Sequence, residues 1–358
     1  MKSNTKQLSE KGQSIWLDNI TRKMIDDGTL KGYIDDLSVT GLTSNPSIFD
    51  SAIAKTGYYD SGIAKAGSRD ITDEELFFSL AIEDIQRAAD LFMPVYKKTN
   101  GLDGFVSIEV SPLLAYDTEN TIKAAKDIFR KVNRPNTFIK IPGTPEGLPA
   151  IEAAIAEGIP VNVTLLFSTD QYIAASRAYL RGIETRIERG VNADIRSVAS
   201  VFVSRWDKAV ADKVPTELNN RLGMAIMGGV LAAYHEFLAS DRVRRIMNEG
   251  AIPQRLLWAS TGTKDPNAPD TFYIEKLIAP FTVNTIPEST LLAFADHGKA
   301  GEIMKVDTAA SDKEVSLFSD AGIDSSTLGS QLQKEGAEAF ISSWEHLIES
   351  IGEKRKSV

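Results

Sequence analysis

Short apolar runs alternate with helical patterns along the chain. Runs of apolar and β-branched residues between turn signals predict strands. These candidate strands lie at residues 14–18, 36–42, 105–110, 137–141, 161–166, 197–202, 256–260 and 281–285. Strands that alternate with helices predict a parallel sheet, and this number of units favours a closed (β/α)8 barrel, a TIM barrel. An open doubly wound sheet is the structural alternative, but no G-x-G-x-x-G turn follows the first strand.

Capping signals mark several helices between these strands. Thr72 with Glu75, and Ser168 with Gln171, have the spacing of a capping box, and the second helix is expected to end near Gly190. The helical face that follows Asp117 carries the apolar residues Ile122, Ala125, Phe129 and Val132. This spacing predicts a helix that packs one side on the sheet.

Thr144 is predicted to cap another helix, with Pro145 at its first helical position, and this helix is expected to end near Gly158. Further helical segments are expected as an N-terminal extension at about 1–13, an insertion at 45–73, a long helix near 217–249 and a tail at about 311–358. We expect these segments to decorate one TIM-barrel domain that comprises residues 1–358.

Composition excludes several classes of function. The chain has 358 residues, with 40 Lys and Arg against 49 Asp and Glu, so its net charge of −9 argues against a nucleic-acid-binding protein. A few basic residues in a pocket would still suffice for a phosphorylated small substrate. Cysteine is absent and the three histidines are scattered, so neither a disulfide nor a metal site is expected.

The polarity of the chain predicts a cytoplasmic protein. The first residues are polar and lead into no apolar run of the signal-peptide type. No uninterrupted apolar stretch of about 18 residues occurs either, so we expect no membrane span.

Polar residues within or just after the predicted strands are the candidates for chemistry. The C-terminal ends of TIM-barrel strands carry the active site, and a charged residue in an apolar strand needs a partner or a function. The polar candidates are Asp18, Asn45, Glu109, Lys140, Asn162, Thr164, Ser200 and Ser260.

Lys140 is the sharpest of these candidates, because it interrupts the apolar run 138–141. It is either a strand-end lysine that extends to solvent or a desolvated amine suited to Schiff-base formation. Asp18 and Glu109 favour the second interpretation, since iminium chemistry needs proton donors and acceptors beside the amine. Asp18 capping a turn, and Glu109 pairing with a lysine, are the structural alternatives.

The remaining candidates have similar alternatives. Asn162 and Thr164 share one face of their strand, where they either contact substrate or fill a barrel layer. Asn45 lies in a segment that is compatible with a simple turn. Arg205 and Lys264 follow the sixth and seventh strands, and either form a phosphate clamp or are solvated loop cations.

Three motifs together resemble transaldolases. They are Leu42-Thr43-Ser44-Asn45-Pro46-Ser47, Ile139-Lys140-Ile141-Pro142-Gly143-Thr144 and Asn162-Val163-Thr164-Leu165-Leu166-Phe167-Ser168. The resemblance extends from about Asp18 to Ser260. It implies a class I enzyme of the pentose phosphate pathway that needs neither metal nor cofactor and transfers a dihydroxyacetone unit between sugar phosphates.

The same resemblance implies roles for individual residues. Lys140 would form the Schiff base, Asp18 would take the C4 hydroxyl proton, and Glu109 with Thr164 would hold a proton-shuttling water. Contacts to substrate hydroxyls would come from Asn45, Asn162 and Ser200, and the phosphate contact from Arg205.

Two positions distinguish this chain from fructose 6-phosphate aldolases, which release free dihydroxyacetone. Those enzymes typically carry Gln where this chain has Glu109 and Tyr where it has Phe202, so transfer is favoured over release. The chain departs from better-known transaldolases after Ser260, where Lys264 stands in for their arginine. A releasing aldolase and a non-catalytic sugar-phosphate-binding barrel are the alternative functions, and assembly as a homodimer is left open.

Overall fold

Eight parallel strands form a closed barrel in the computed structural model, which describes residues 3–67 and 70–357. The strands are β1 (Ser14–Asp18), β2 (Val39–Thr43), β3 (Val106–Glu109), β4 (Thr137–Pro142), β5 (Val161–Leu166), β6 (Ser197–Phe202), β7 (Arg255–Ala259) and β8 (Val283–Ile286). Each pairs with its sequence neighbours, and β8 closes the barrel against β1. The predicted TIM barrel is therefore confirmed.

Helices surround the barrel and extend it at both ends of the chain. They are α1 (Asn4–Glu10), α2 (Arg22–Asp26), α3 (Thr29–Asp36), α4 (Pro46–Lys55), α5 (Asp60–Gly67), α6 (Asp73–Lys98), α7 (Thr118–Val132), α8 (Gly147–Ala156), α9 (Thr169–Glu188), α10 (Ser204–Val210), α11 (Leu222–Ala239), α12 (Asp241–Asn248), α13 (Phe272–Lys276), α14 (Glu288–His297), α15 (Thr308–Asp320) and α16 (Ser325–Ser357). Parts of the predicted extension, insertion and tail, at residues 1–2, 68–69 and 358, lie outside the described residues.

Most predicted helix ends are confirmed by their caps. Both capping boxes form, at the starts of α6 and α9, and Asp117 caps α7 through the backbone N–H of Asn120. Gly158 and Gly190 follow the ends of α8 and α9 with positive φ, the backbone region that glycine tolerates best.

Several predicted boundaries were wrong. β2 begins at Val39 because α3 continues to Asp36 and Ser38 turns the chain with a φ of 57°. The helix predicted to begin at Pro145, after Thr144 as its cap, begins at Gly147. Thr144 instead holds the preceding turn, because its hydroxyl accepts from the Gly147 N–H and donates to the Ala115 carbonyl. The long helix near 217–249 is divided at Ser240, whose extended backbone and capping hydroxyl start α12.

One segment has the length and apolar composition of a membrane span, although none was predicted from the sequence. Thr216–Ala239 is long and apolar enough to cross a membrane by length and composition alone. The core helix of a globular protein passes the same test, and 61% of the most apolar window is buried inside the protein. Its helical part, α11, packs against α9 and α15.

The last helix, α16, lies across the end of the barrel where the strands terminate. The Gln333 side-chain amide donates to the carbonyl of Gly143, directly after β4, at 3.0 Å and to that of Leu165 in β5 at 2.9 Å. Residues at helical spacing on the covered face are buried, namely Gln333, Ala337, Phe340, Trp344, Leu347 and Ile351. The tail predicted from about residue 311 therefore begins at Thr308 with α15 and ends as a cover over the barrel.

A buried polar network closes the opposite end of the barrel. Arg255, at the start of β7, donates to the Ser14 hydroxyl at 2.6 Å and to the Thr282 carbonyl at 2.8 Å. Asp103 lies 3.8 Å from the Arg255 guanidinium and accepts hydrogen bonds from Ser14 and from the Trp16 indole N–H. The network ties the starts of β1 and β7 to the segments that precede β3 and β8.

Candidate active site

A cavity of about 630 Å³ opens at the C-terminal ends of the strands, below α16. Nine of the residues predicted from the sequence line it, namely Asp18, Asn45, Lys140, Thr164, Ser200, Phe202, Arg205, Ser260 and Lys264. The other two, Glu109 and Asn162, are buried and do not line the cavity, but each contacts a residue that does.

The Lys140 side chain is buried and held on two sides. Its Nζ donates to the carbonyl of Ser44 at 3.2 Å and lies 3.3 Å from Oε2 of Glu109. Glu109 and Lys140 are paired in the register of β3 and β4, which brings the carboxylate to the amine. The strand-end lysine that extends to solvent is thereby excluded, because only 5% of Lys140 is exposed.

Two carboxylates approach this amine, one from β1 and one from β3. Burial raises the pKa of Glu109, and the nearby Lys140 opposes the rise. Neither oxygen of Glu109 accepts a hydrogen bond from the described residues, so its contact with Lys140 is an ion pair. Burial raises the pKa of Asp18 as well, against the lowering effects of Lys140 and of the Thr43 hydroxyl, which donates to Asp18 at 2.9 Å.

Thr164 owes its position to a bulge in β5. The pairing of β5 with β6 shifts between Val163 and Leu166, so that two residues oppose Ser200. Leu165 takes a φ of 58°, unusual for a branched residue. The Thr164 hydroxyl at this bulge is buried and has no hydrogen-bond partner among the described residues.

Asn162 lies below Ser200 and orients it. Its amide N–H donates to the Ser107 hydroxyl at 3.2 Å, and its Oδ1 accepts from the Ser200 hydroxyl at 2.6 Å. Asn162 is fully buried, whereas Ser200 lines the cavity. Asn162 therefore lies within the packed interior of the barrel. Ser200, which it holds, is the residue of this pair that a ligand in the cavity can contact.

Asn45 and Ser260 occupy the rim with defined backbone geometry. Asn45 is the N-cap of α4, and its Oδ1 accepts from the Ile48 N–H at 3.1 Å. The amide N–H₂ group of Asn45 is therefore what it can offer to a ligand. Ser260 has a φ of 56°, and its hydroxyl lies 2.9 Å from that of Ser204. Phe202 adds an apolar wall, with its ring centroid 5.2 Å from that of Phe167.

Arg205 and Lys264 bring two positive charges to one side of the cavity. Neither forms an ion pair within the described part of the chain. Burial lowers the pKa of Arg205, although the negative charge of Glu335 opposes this lowering. Partial desolvation at the rim, with the positive charges of Arg205 and Lys208, lowers the pKa of Lys264. Two cations that are close enough to repel each other are suited to binding an anion.

Several cavity residues were missed in the sequence. Thr43 belongs to the motif that begins at Leu42, but its contact with Asp18 depends on the register of β1 and β2. Thr285, in β8, shares a 2.6 Å hydrogen bond with the Thr43 hydroxyl. Phe340 reaches the cavity from α16, and its ring centroid lies 5.4 Å from the Lys140 Nζ. Asn19, also at the wall, donates to Glu288 at 2.8 Å.

The arrangement provides a nucleophilic amine, two carboxylates of raised pKa and a pair of cations at one rim. Among the described residues, no group of three or more His, Cys, Asp or Glu side chains could hold a metal ion. An amine beside carboxylates is suited to imine chemistry on a carbonyl compound, and the cations are suited to a substrate that carries phosphate.

Comparison with known proteins agrees with this chemistry. The family described as Transaldolase/Fructose-6-phosphate aldolase matches residues 15–351. A transaldolase of Saccharopolyspora erythraea is 43% identical over 98% of this chain and 98% of its own length. A transaldolase of Thermobifida fusca is 43% identical, with 99% of each protein covered, and one of Mycolicibacterium smegmatis is 42% identical over 97% of this chain and 96% of its own. The chain therefore belongs to the Transaldolase/Fructose-6-phosphate aldolase family, and within it stands with the transaldolases.

Proposed function

We propose that this transaldolase transfers a dihydroxyacetone unit through a Schiff base on Lys140. The donor is sedoheptulose 7-phosphate or fructose 6-phosphate, and the acceptor is glyceraldehyde 3-phosphate or erythrose 4-phosphate, in the pentose phosphate pathway. The observation that carries the proposal is the buried amine of Lys140, 3.3 Å from Glu109 in a cavity that also holds Asp18.

Imine formation is assigned to the Lys140 amine with Glu109 and Thr164. The amine adds to the ketone carbon of the donor, and the resulting carbinolamine must lose water. Glu109, whose pKa burial raises, exchanges protons with the carbinolamine through a water that it holds together with the Thr164 hydroxyl. Both groups have hydrogen-bonding capacity to spare for such a water.

Carbon–carbon cleavage is assigned to Asp18. Its carboxylate removes the proton of the C4 hydroxyl, the C3–C4 bond breaks, and the electron pair moves into the iminium to give an enamine. The aldose phosphate leaves, and the acceptor aldehyde then reacts with the same enamine carbon. A site that excludes water protects the enamine during this exchange.

The rest of the cavity binds the donor. Asn45 and Ser200 contact the hydroxyls of the dihydroxyacetone unit, and Asn162 contributes through the Ser200 hydroxyl that it holds at 2.6 Å. Arg205 and Lys264 bind the phosphate, and Ser260 lines the same cavity. Phe202 forms an apolar wall without a proton donor, which favours transfer.

Borohydride trapping tests the central assignment. Reduction in the presence of fructose 6-phosphate, followed by peptide mass analysis, is expected to find a stable adduct on Lys140. The variant Lys140→Gln, which keeps all other lysines, is the matched control and should give none. An adduct on another lysine, or no adduct, contradicts the mechanism.

A releasing aldolase is the alternative within the same chemistry. With fructose 6-phosphate and no acceptor, such an enzyme accumulates free dihydroxyacetone continuously, whereas a transaldolase does so only slowly. Adding erythrose 4-phosphate should yield sedoheptulose 7-phosphate if transfer is the reaction. We further infer a soluble cytoplasmic enzyme, because the apolar helix α11 is packed against other helices.

A further inference from the structure

The ring of Phe340 forms the roof over the catalytic amine. Its centroid lies 5.4 Å from the Lys140 Nζ, it lines the cavity, and only 7% of the residue is exposed. The polar contacts of the amine among the described residues are with the Ser44 carbonyl and Glu109. Phe340 is therefore the apolar side of the pocket around Nζ.

The position of the ring is determined by how α16 is anchored. Gln333 lies two helical turns before Phe340, on the same face, and bonds the carbonyls of Gly143 and Leu165. Gly336, between them, sits so close to the barrel that an added Cβ would lie 3.0 Å from the Leu165 side chain. The helix has little freedom to lift the ring at this point.

Beyond Phe340, α16 is also held by contacts between residues that do not line the cavity. Trp344 packs edge-on against Phe77 of α6, with ring centroids 5.0 Å apart. His346 lies 2.9 Å from Asp50 of α4, and Lys354 lies 2.8 Å from Asp60 of α5. Of the buried side chains that follow Phe340 on this face, none lines the cavity.

We propose that Phe340 is a specificity-determining residue that decides whether the enamine reacts with an aldehyde or with a proton from water. This inference rests on the function proposed above. The ring occupies the space directly over Nζ and carries no exchangeable proton. On the side that it covers, the ring therefore keeps bulk water from the atoms adjoining Nζ after the first product leaves, and the enamine survives until the acceptor arrives.

The competing reaction has a defined chemistry. A proton from water adds to the enamine carbon, which regenerates an iminium of dihydroxyacetone on Lys140. Water then adds to the iminium carbon, the C–N bond breaks, and free dihydroxyacetone and the lysine amine are released. Transfer uses the same carbon to attack the acceptor aldehyde, so the ratio of the two products reports how well the roof excludes water.

The test compares variants by this product ratio. Wild type, Phe340→Ala and Phe340→Leu are supplied with fructose 6-phosphate and erythrose 4-phosphate, and free dihydroxyacetone is measured against sedoheptulose 7-phosphate. Phe340→Ala is expected to raise the ratio about tenfold, because an opened roof admits water, and Phe340→Leu should raise it less. Because Phe340→Leu keeps most of the apolar volume, it should remain folded even if Phe340→Ala does not.

Leu347→Ala is the matched control. Leu347 is fully buried on the same face of α16, but it does not line the cavity. It should lose thermal stability comparable to that lost by Phe340→Ala while leaving the product ratio unchanged.

The outcomes separate the two proposals. A ratio within twofold of wild type in both Phe340 variants, or an equal rise in Leu347→Ala, overturns the role of Phe340 and leaves the transaldolase mechanism intact. Failure of wild type to form the Lys140 adduct refutes the mechanism itself, and with it the premise of this inference.

Discussion

At the scale of single residues, two threonine hydroxyls determine how Asp18 is held. Thr43 donates to Asp18 at 2.9 Å and lies 2.6 Å from Thr285, so a short chain of hydroxyls ends on the carboxylate. A hydrogen bond to the charged form of an acid favours that form and lowers its pKa. Burial nevertheless dominates, and the pKa of Asp18 is raised.

A pH profile follows from this balance. Asp18 acts as a base only when it is ionised, so activity is lost as pH falls through its raised pKa. Thr43→Val removes the donor, and should raise the pKa further and move the acid limb of kcat/KM to higher pH. Thr40→Val, on the same strand but outside the cavity, is the control, because the Thr40 hydroxyl bonds the Ile15 carbonyl instead. An equal shift of the acid limb in both variants, or no shift in Thr43→Val, contradicts the assignment of this limb to Asp18.

The two rim cations make a second prediction. Arg205→Gln and Lys264→Gln each remove a charge-assisted contact to the substrate phosphate, worth about 1.5–3 kcal/mol, so kcat/KM should fall about tenfold or more. The loss should be found with fructose 6-phosphate and be much smaller with unphosphorylated fructose. Lys276→Gln, an exposed change outside the cavity, should alter neither. If Lys264→Gln behaves like Lys276→Gln, Arg205 alone binds the phosphate.

At the scale of elements, the Gln333 side chain links α16 to β5 and to the residue that follows β4. Gln333→Leu leaves the carbonyls of Gly143 and Leu165 without this donor. A buried polar group left unpaired costs about 1–3 kcal/mol, so the free energy of unfolding should fall by about 2 kcal/mol. Because Leu165 belongs to the bulge that positions Thr164, imine formation should slow as well.

Gln331→Leu provides the comparison for Gln333. Gln331 is exposed on the same helix and bonds only Glu335, at 2.6 Å, so its loss should change unfolding by less than about 0.5 kcal/mol. Urea unfolding measures the stability of both variants, and the rate of borohydride-trapped adduct measures imine formation. Equal stability of the two variants would show that the Gln333 hydrogen bonds add nothing measurable to the stability of the protein.

The sequence predicted all eight strands but misplaced several element ends. Buried strands of a parallel barrel are continuous apolar runs, which are visible without tertiary information. The start of β2, by contrast, depends on the left-handed Ser38, and the break before α12 depends on which groups Ser240 caps. Capping residues also occur inside helices, so their role is settled only when the flanking helices are packed.

The sequence predicted those residues of the candidate site that lie in or directly after strands. Parallel strands of a closed barrel bring Asp18, Glu109 and Lys140 to one end whatever the intervening chain does. Phe340 belongs to no strand, and its apolar pattern is that of any amphipathic helix. Its place above Lys140 follows from the packing of α16 on α4 and α6, which no local pattern specifies.

At the scale of the whole molecule, the two ends of the barrel differ in role: one end forms the active-site cavity, and the other is closed by a buried polar network. The cavity and its cover lie where the strands end, while Arg255 and Asp103 form their network where the strands begin. This division predicts that changes at the second end alter stability without altering the reaction.

Asp103→Ala tests that division. The variant leaves the buried Arg255 without its carboxylate and the Trp16 indole N–H without its acceptor, so unfolding should become easier by about 3 kcal/mol. Asp35→Ala removes an exposed partner of Lys31 and should cost less than about 1 kcal/mol. Urea unfolding gives both values, and kcat and KM measured below the transition should match wild type in both variants. A fall in kcat of folded Asp103→Ala would mean that the network at the start of the strands also sets the positions of residues at their ends. Stability and catalysis would then not be divided between the two ends of the barrel.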